Sequence, residues 1–323
     1  MSEGEDLLTG DLIRRLAECA EETLQLERVG RPRSAIRAKP GADPRFVTWQ
    51  MDLAMRRILS MTTGSTFPNI DGESIRAIEI PLPPLPTQRV IAAALSDVDA
   101  LIAALDRLIA KTRDLKHAAM QQLLTGQTRL PGFHGEWEVR RFGDAATPRN
   151  DRVDPRRTRV QELCVELEHI EPGTGRLLGS TSAGGASSLK SVFREGNVLF
   201  GKLRAYLKKH WLADRSGVCS TEIWVFLPNT RLVTAAYLFL LIKMSQFIKV
   251  ANTAYGTHMP RSDWNVVKNY DMRLPPLPEQ TAIAAVLSDM DAEIGALEQR
   301  RDKTRALKQG MMQELLTGRT QLP

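Results

Sequence analysis

Apolar residues recur at alternating spacings of four and three along two long stretches of this 323-residue sequence. Ile91, Leu95, Val98, Ile102, Leu105 and Ile109 form the first series, and Ile283, Leu287, Met290, Ile294 and Leu297 the second. That period puts each series on one face of a helix, as an a/d seam suited to helix pairing. Pro86 and Pro278 stand where a first helical turn tolerates a missing N–H, and Gly126 and Gly318 follow the last apolar pairs as C-terminal caps. From Gln88 to Leu124 the first helix would be roughly 55 Å long at about 1.5 Å per residue. Thr112 and Lys116, matched by Thr304 and Lys308, interrupt the seam. Leu115, Met120, Leu123 and Leu124 resume it on a shifted phase, which predicts a stutter.

The two stretches are copies. Residues 83–131 return without a gap at 275–323, at a constant offset of 192, with 30 of 49 positions identical. A repeat of that quality is architecture. Neither helix can bury its stripe alone, so the expected solution is an antiparallel pair with room for a globular unit at each end. Upstream the offset persists weakly: Gly64, Pro68 and Asp71 correspond to Gly256, Pro260 and Asp263. A helix over Thr48–Met61 matches one over Thr234–Ala251, and strands at Ile75–Pro81 and Val266–Leu274 lead into the Pro-rich helix entries.

Between the copies, Trp137–Phe142, Leu163–Ile170, Asn197–Phe200 and Ile223–Leu227 read as strands. The fold class expected is α+β, with mixed globular units joined by two long antiparallel coiled-coil helices. The expected parts are a poorly defined segment 1–45, a partial first domain 46–82, a helix 83–131, a complete domain 132–274 and a helix 275–323. Asp11–Leu26 reads as an amphipathic helix and Arg31–Pro44 as a loop. Shifted back by the offset, Trp137 would fall before residue 1, so the first domain is expected to lack its leading part.

Charge changes the picture. Residues 132–274 hold 21 Lys and Arg against 14 Asp and Glu, so the whole excess of +6 lies in one segment. A solvated basic face or a surface that meets phosphate both fit. Cys19, Cys164 and Cys219 share no CxxC spacing, and no secretory signal or membrane-length run is visible, which leads us to expect a cytoplasmic protein. Gly173, Gly175 and Gly179 lack the Lys-Ser/Thr and following helix of a phosphate loop. Glu166, Glu168 and His169 on one strand would point to opposite faces, so neither a metal nor a catalytic site is expected there. No nucleotide-binding, methylase or nuclease motif is present, and no cofactor is expected.

LPPLPEQTAIAAVLSDMDAEI with its earlier twin, the helix ends MQELLTG and MQQLLTG, REGNVLFGKLRAYLKKHWLADRSGVCSTEIWVFLP at 194–228 and YGTHMPRSDW at 255–264 carry a resemblance. Over about residues 46–323 the chain resembles the DNA-specificity subunit of type I restriction-modification systems. The resemblance implies a non-enzymatic subunit. Two target-recognition domains, held apart by antiparallel helices, would each read half of a split sequence in double-stranded DNA. It also implies two adenine methyltransferase subunits docked on the helices, with restriction subunits outside. The short first domain departs from the pattern, and a disrupted gene, a misplaced start and a half-type subunit that pairs with a second copy all remain open. The competing reading is an oligomerising coiled coil that binds nucleic acid without sequence preference.

Candidate DNA contacts are the turn Lys202, Arg204, Tyr206, Lys208, Lys209 and His210, the loop residues Tyr255, Thr257 and His258, and the basic stretch Arg152, Arg156 and Arg157. In the turn, cations can neutralise phosphates while one Arg or Lys reaches a guanine edge. Lys111, Arg113 and Lys116, with Lys303, Arg305 and Lys308, are expected to form the solvated face of the coiled coil.

Overall fold

The computed structural model describes residues 37–61, 79–156, 163–182, 188–253 and 260–320. Its elements run α1 (Pro44–Met61), α2 (Leu85–Thr125), β1 (Glu138–Arg141), α3 (Phe142–Ala145), β2 (Ala146–Pro148), β3 (Arg152–Val153), β4 (Leu163–Val165), β5 (Thr181–Ser182) and β6 (Lys190–Phe193). There follow β7 (Val198–Gly201), β8 (His210–Leu212), β9 (Gly217–Ser220), β10 (Ile223–Pro228), α4 (Ala235–Lys243), α5 (Ser245–Ala251), α6 (Trp264–Val267), β11 (Asp271–Leu274) and α7 (Leu277–Leu316). The proposed helix over 11–26, the positions Gly64, Pro68 and Asp71, and most of the proposed strand 75–81 lie outside the described residues.

The chain divides into two compact units, residues 1–111 with 295–323 and residues 112–294. In the first, the N-terminal part of α2, the C-terminal part of α7 and α1 share a core of Phe46, Ile91, Ala92, Leu95, Met312, Leu315 and Leu316. Pairing is antiparallel: Asp99 takes Lys308 at 2.6 Å, and one turn and more further along α2, Asp106 takes Arg301 and Arg305 from earlier in α7. No strand occurs in this unit among its described residues.

The second unit holds three sheets, ordered β1-β11, β2-β10-β7-β8 and β3-β6-β9-β4-β5. β7 is buried at all four positions, as a strand covered on both faces must be. One face joins a core of Phe142, Phe200, Phe226, Phe247, Tyr237 and Leu238, which also takes up Met120, Leu123 and Leu124 of α2 and Ile283 and Leu287 of α7. The other faces Phe193, Trp211, Cys219, Ile223 and Val225. Of the remaining seam residues, Leu105, Ile109 and Ile294 are buried, and Val98, Ile102, Met290 and Leu297 are half-buried.

The repeat reappears as matched local chemistry. Gly126 and Gly318 have φ of 73° and 72°, the left-handed caps that an L side chain resists. Gln88 and Gln280, equivalent in the repeat, are both buried. The Gln280 side chain accepts from the Thr234 N–H at 2.9 Å and donates to the Leu232 and Pro275 carbonyls at 2.8 and 2.9 Å. Gln88 accepts from the Asp43 N–H at 2.8 Å and donates to the Gly41 and Pro83 carbonyls. Each glutamine thereby ties a helix entry to the N-cap of an earlier helix, whose cap oxygen is Thr234 of α4 in one case and Asp43 of α1 in the other.

Several expectations change. Lys116 and Lys308 do not line a solvated face: Lys116 is buried and pairs with Asp291, while Lys308 pairs with Asp99 and lies 4.3 Å over the Trp49 ring. The strand read over Leu163–Ile170 ends at Val165, because Leu167–His169 turns as a 3-10 helix. Val266–Leu274 is α6 then β11, and the helix read over 234–251 breaks at Met244, whose ψ of 140° is extended.

Candidate nucleic-acid interface

The basic turn is the loop of the β7–β8 hairpin. Phe200 pairs with His210, and the Gly201 N–H donates to the Lys209 carbonyl at 2.8 Å, so residues 202–209 emerge together from a buried strand pair. Their backbone is fixed on three sides. The Lys202 N–H donates to the Glu222 carbonyl at 3.0 Å, the Ser262 N–H to the Lys202 carbonyl at 2.8 Å, and the Arg204 N–H to the Pro260 carbonyl at 2.9 Å. On the far side the Gly173 N–H donates to the Lys208 carbonyl at 2.9 Å. Between these anchors Ala205–Leu207 forms a single 3-10 turn on a buried Ala205.

Arg204 and Lys208, which bracket that turn, have φ of 52° and 51°, the only non-glycine residues in the left-handed region among those described. An L side chain there costs of order 1–3 kcal/mol and persists only where the surroundings impose it, a condition met most often at functional sites. Both side chains, with Tyr206, are exposed, and Lys202 is half-buried.

Two members of the sequence-derived cluster belong elsewhere. Lys209 turns inward, its ammonium donating to the Leu167 carbonyl at 2.6 Å, so it braces the turn from below. His210 is 1% exposed and cannot face DNA. The first two residues of β8, His210 and Trp211, are both buried, so a basic run that continues into this strand passes into the interior. The His210 ring meets Phe239 edge-on at 5.5 Å, and neither nitrogen finds a hydrogen-bond partner. Burial, then the nearby Lys243 cation, with Lys208 and Lys116 adding smaller repulsions, push its pKa down to about 3, against a lesser upward pull from the Lys208 backbone, which is not aligned well enough to be a hydrogen bond. Lys243 lies 4.9 Å over the same Phe239 ring, and burial lowers it to about 8.

A pH dependence follows. The unfolded chain protonates this imidazole near its ordinary 6.5 while the fold resists to about 3, so the unfolded state binds more protons in that window. Stability is therefore lost as pH falls from about 6.5 towards 3, by at most ~1.4 kcal/mol per pH unit from this group. Urea titrations from pH 7 to 4 should give a flatter curve for His210→Leu than for the parent; parallel curves would remove the histidine as the cause.

The remaining candidates divide. Tyr255, Thr257 and His258, and Arg157, lie outside the described residues, though Pro260–Ser262, which continue the first three, sit against the basic turn, where Leu203 bridges to Arg261. Arg152 and Arg156 belong to β3 and the turn after it, on the other large sheet; Arg152 is exposed. Arg156 already holds Asp154 at 3.0 Å, which raises its pKa. Arg261, which falls inside the YGTHMPRSDW motif but is not among the candidate contacts, has an exposed guanidinium that meets Glu222 at 2.9 Å, and Gly175, considered in the sequence only as part of a phosphate loop, takes a packing role. A Cβ on Gly175, where φ is 81°, would stand 2.5 Å from the Phe239 ring that packs on His210. Among the described residues, no group of three His, Cys, Asp or Glu side chains could hold a metal ion. No helix among them is long and apolar enough to cross a membrane.

The type I restriction modification DNA specificity domain matches residues 35–111 and 135–304. The MjaVIII type I restriction enzyme specificity subunit of Methanocaldococcus jannaschii is 23% identical over 303 residues, covering 86% of this chain and 70% of its own. The EcoDI specificity subunit of Escherichia coli is 23% identical over 308 residues, 84% and 68% of the two chains. Among solved structures, the type I restriction-modification S subunit from M. genitalium aligns over 85% of this chain and 73% of its own. Its TM-score is 0.54 at 14% identity, a likeness of fold.

Proposed function

The chain belongs to the type I restriction modification DNA specificity family, and from that premise we propose that it is the subunit that selects the DNA sequence on which partner subunits act. Its work is recognition, with no chemistry of its own. The carrying observation is the β7–β8 turn, where Arg204, Tyr206 and Lys208 stand exposed on a backbone fixed by hydrogen bonds at both ends. Rigid placement is what base reading needs, since a bidentate Arg contact to guanine discriminates by about 1–3 kcal/mol only when its geometry is held. Arg204 reads bases, and Lys202, Lys208 and Arg261 hold phosphates. Thr257 and His258 contribute further DNA contacts.

The partners are double-stranded DNA, two adenine methyltransferase subunits on the paired helices, and restriction subunits beyond them, acting in the cytoplasm. Residues 132–274 form the complete reader. A second copy of the chain supplies the other reading head if the target proves palindromic.

Co-expression with the methyltransferase subunit, followed by mapping of methylated adenines in host DNA, tests the reading. A split motif is expected, asymmetric if both halves of one chain read DNA and palindromic if two copies pair. A methyltransferase that neither copurifies with the chain nor methylates any motif would end the proposal. In salt titrations of duplex binding by the copurified assembly Lys208→Ala should weaken binding to all sequences and lower the salt slope by about 1, whereas in the methylation map Arg204→Ala should relax one position of the motif.

A further inference from the structure

Tyr206 and Leu207 are 51% and 37% exposed, adjacent residues of the 3-10 turn within the basic loop. An aromatic and an aliphatic side chain with that much surface in water are costly, and the described residues leave them this exposed although Ala205, next in sequence, is buried. Their placement is not slack. The 3-10 turn closes through Leu207 N–H to Arg204 O and Lys208 N–H to Ala205 O, both 2.9 Å. The left-handed residues at each end then reverse the chain, so that the pair projects while Arg204 and Lys208 flank it. Glycine would adopt φ near 50° without strain, so the fold accepts a cost in order to keep a cationic side chain on each side of the apolar pair.

Cations at the base of an apolar tip suit one kind of ligand, a duplex whose phosphates are held while the tip enters a groove. We propose that Tyr206 and Leu207 form a wedge that enters the groove and partly unstacks a base step within the recognised half-site. This rests on the DNA-specificity reading and adds how part of the sequence is chosen. Pyrimidine–purine steps unstack most easily, so a wedge favours them at positions where no hydrogen bond to a base edge is made.

The full chain, assembled with its methyltransferase, would be titrated against duplexes carrying 2-aminopurine at successive positions of the methylated motif. The parent assembly should brighten one step apart from the methylated adenine itself, whose signal reports the partner's own base extrusion. Leu207→Ala and Tyr206→Ala should abolish the first signal, keep the second, and lower target affinity roughly tenfold or more with an unchanged salt slope. Leu207→Lys separates charge from shape, because it should tighten binding to unrelated DNA yet fail to restore the brightened step. Because both side chains are exposed, melting temperatures should match the parent. A target-bound parent that brightens no step but the methylated adenine, or variants with parental affinity and motif, would overturn the wedge and leave the specificity reading intact. A parent assembly without any sequence preference would overturn both.

Discussion

Phe142→Ala is expected to cost about 3–5 kcal/mol, a large share of the ~5–15 kcal/mol that a domain has. The ring is wholly buried and meets Phe247 at 4.9 Å, Phe226 at 5.2 Å and Trp264 at 6.2 Å. Those partners come from α5, β10 and α6, so one side chain joins the central sheet of the second unit to the elements that precede α7. Collapse of the cavity is opposed because the backbone at this point is pinned, Phe142 N–H to Tyr270 O at 2.8 Å and Gly143 N–H to Lys268 O at 2.9 Å. Urea unfolding followed by tryptophan emission gives the number, with Val139→Ala as the control: three residues away on β1 and 63% exposed, it should change stability by less than ~0.5 kcal/mol. A loss below about 1 kcal/mol for Phe142→Ala would mean that the three aromatic partners close over the gap.

Gln280→Ala is expected to cost roughly 2–4 kcal/mol, from a residue with no charge and no apolar payload. Its buried amide satisfies one backbone N–H and two backbone carbonyls, the Pro275 carbonyl fully buried and the Thr234 and Leu232 groups partly so, and alanine leaves all three without this partner. Gln280→Glu keeps the size and the acceptor for Thr234 but sets an oxygen against two carbonyls, so it should recover little. Because Gln88 repeats the arrangement, Gln88→Ala should show a loss of similar size in the first unit. Hydrogen exchange at the Thr234 and Asp43 amides separates the two: each variant should speed only its own amide. Speeding of both by either variant, or of neither, would break the equivalence.

The polar interruption of the seam has the same origin. Lys116 with Asp291 and Lys308 with Asp99 are equivalent pairs under the repeat, each set into one unit. An ion pair on an otherwise apolar helix face contributes little net stability, but it penalises any shift of the two helices by leaving a charge without its partner.

By itself the sequence determined what is periodic, repeated or compositional. The heptad-like seam, the 49-residue repeat at an offset of 192, the prolines at helix entries and glycines at their ends, and the basic excess between the helices are facts of the sequence alone. Helix caps and seams obey rules with a range of one or two turns, so they could be read in order along the chain. The tertiary structure decided which face each residue takes. Lys209 and His210 continue the basic run of Lys202, Arg204 and Lys208, yet the start of β8 turns His210 into the core and the 167 carbonyl draws Lys209 inward. Lys116 and Lys308 look like surface lysines until the antiparallel partner brings Asp291 and Asp99 to them. Gly173 reaches Lys208 only because a loop some thirty residues earlier in the chain folds beneath the turn. Such contacts join residues far apart in sequence, and the energy that decides them, desolvation of a charge or a ring nitrogen, exists only once the surrounding walls are in place.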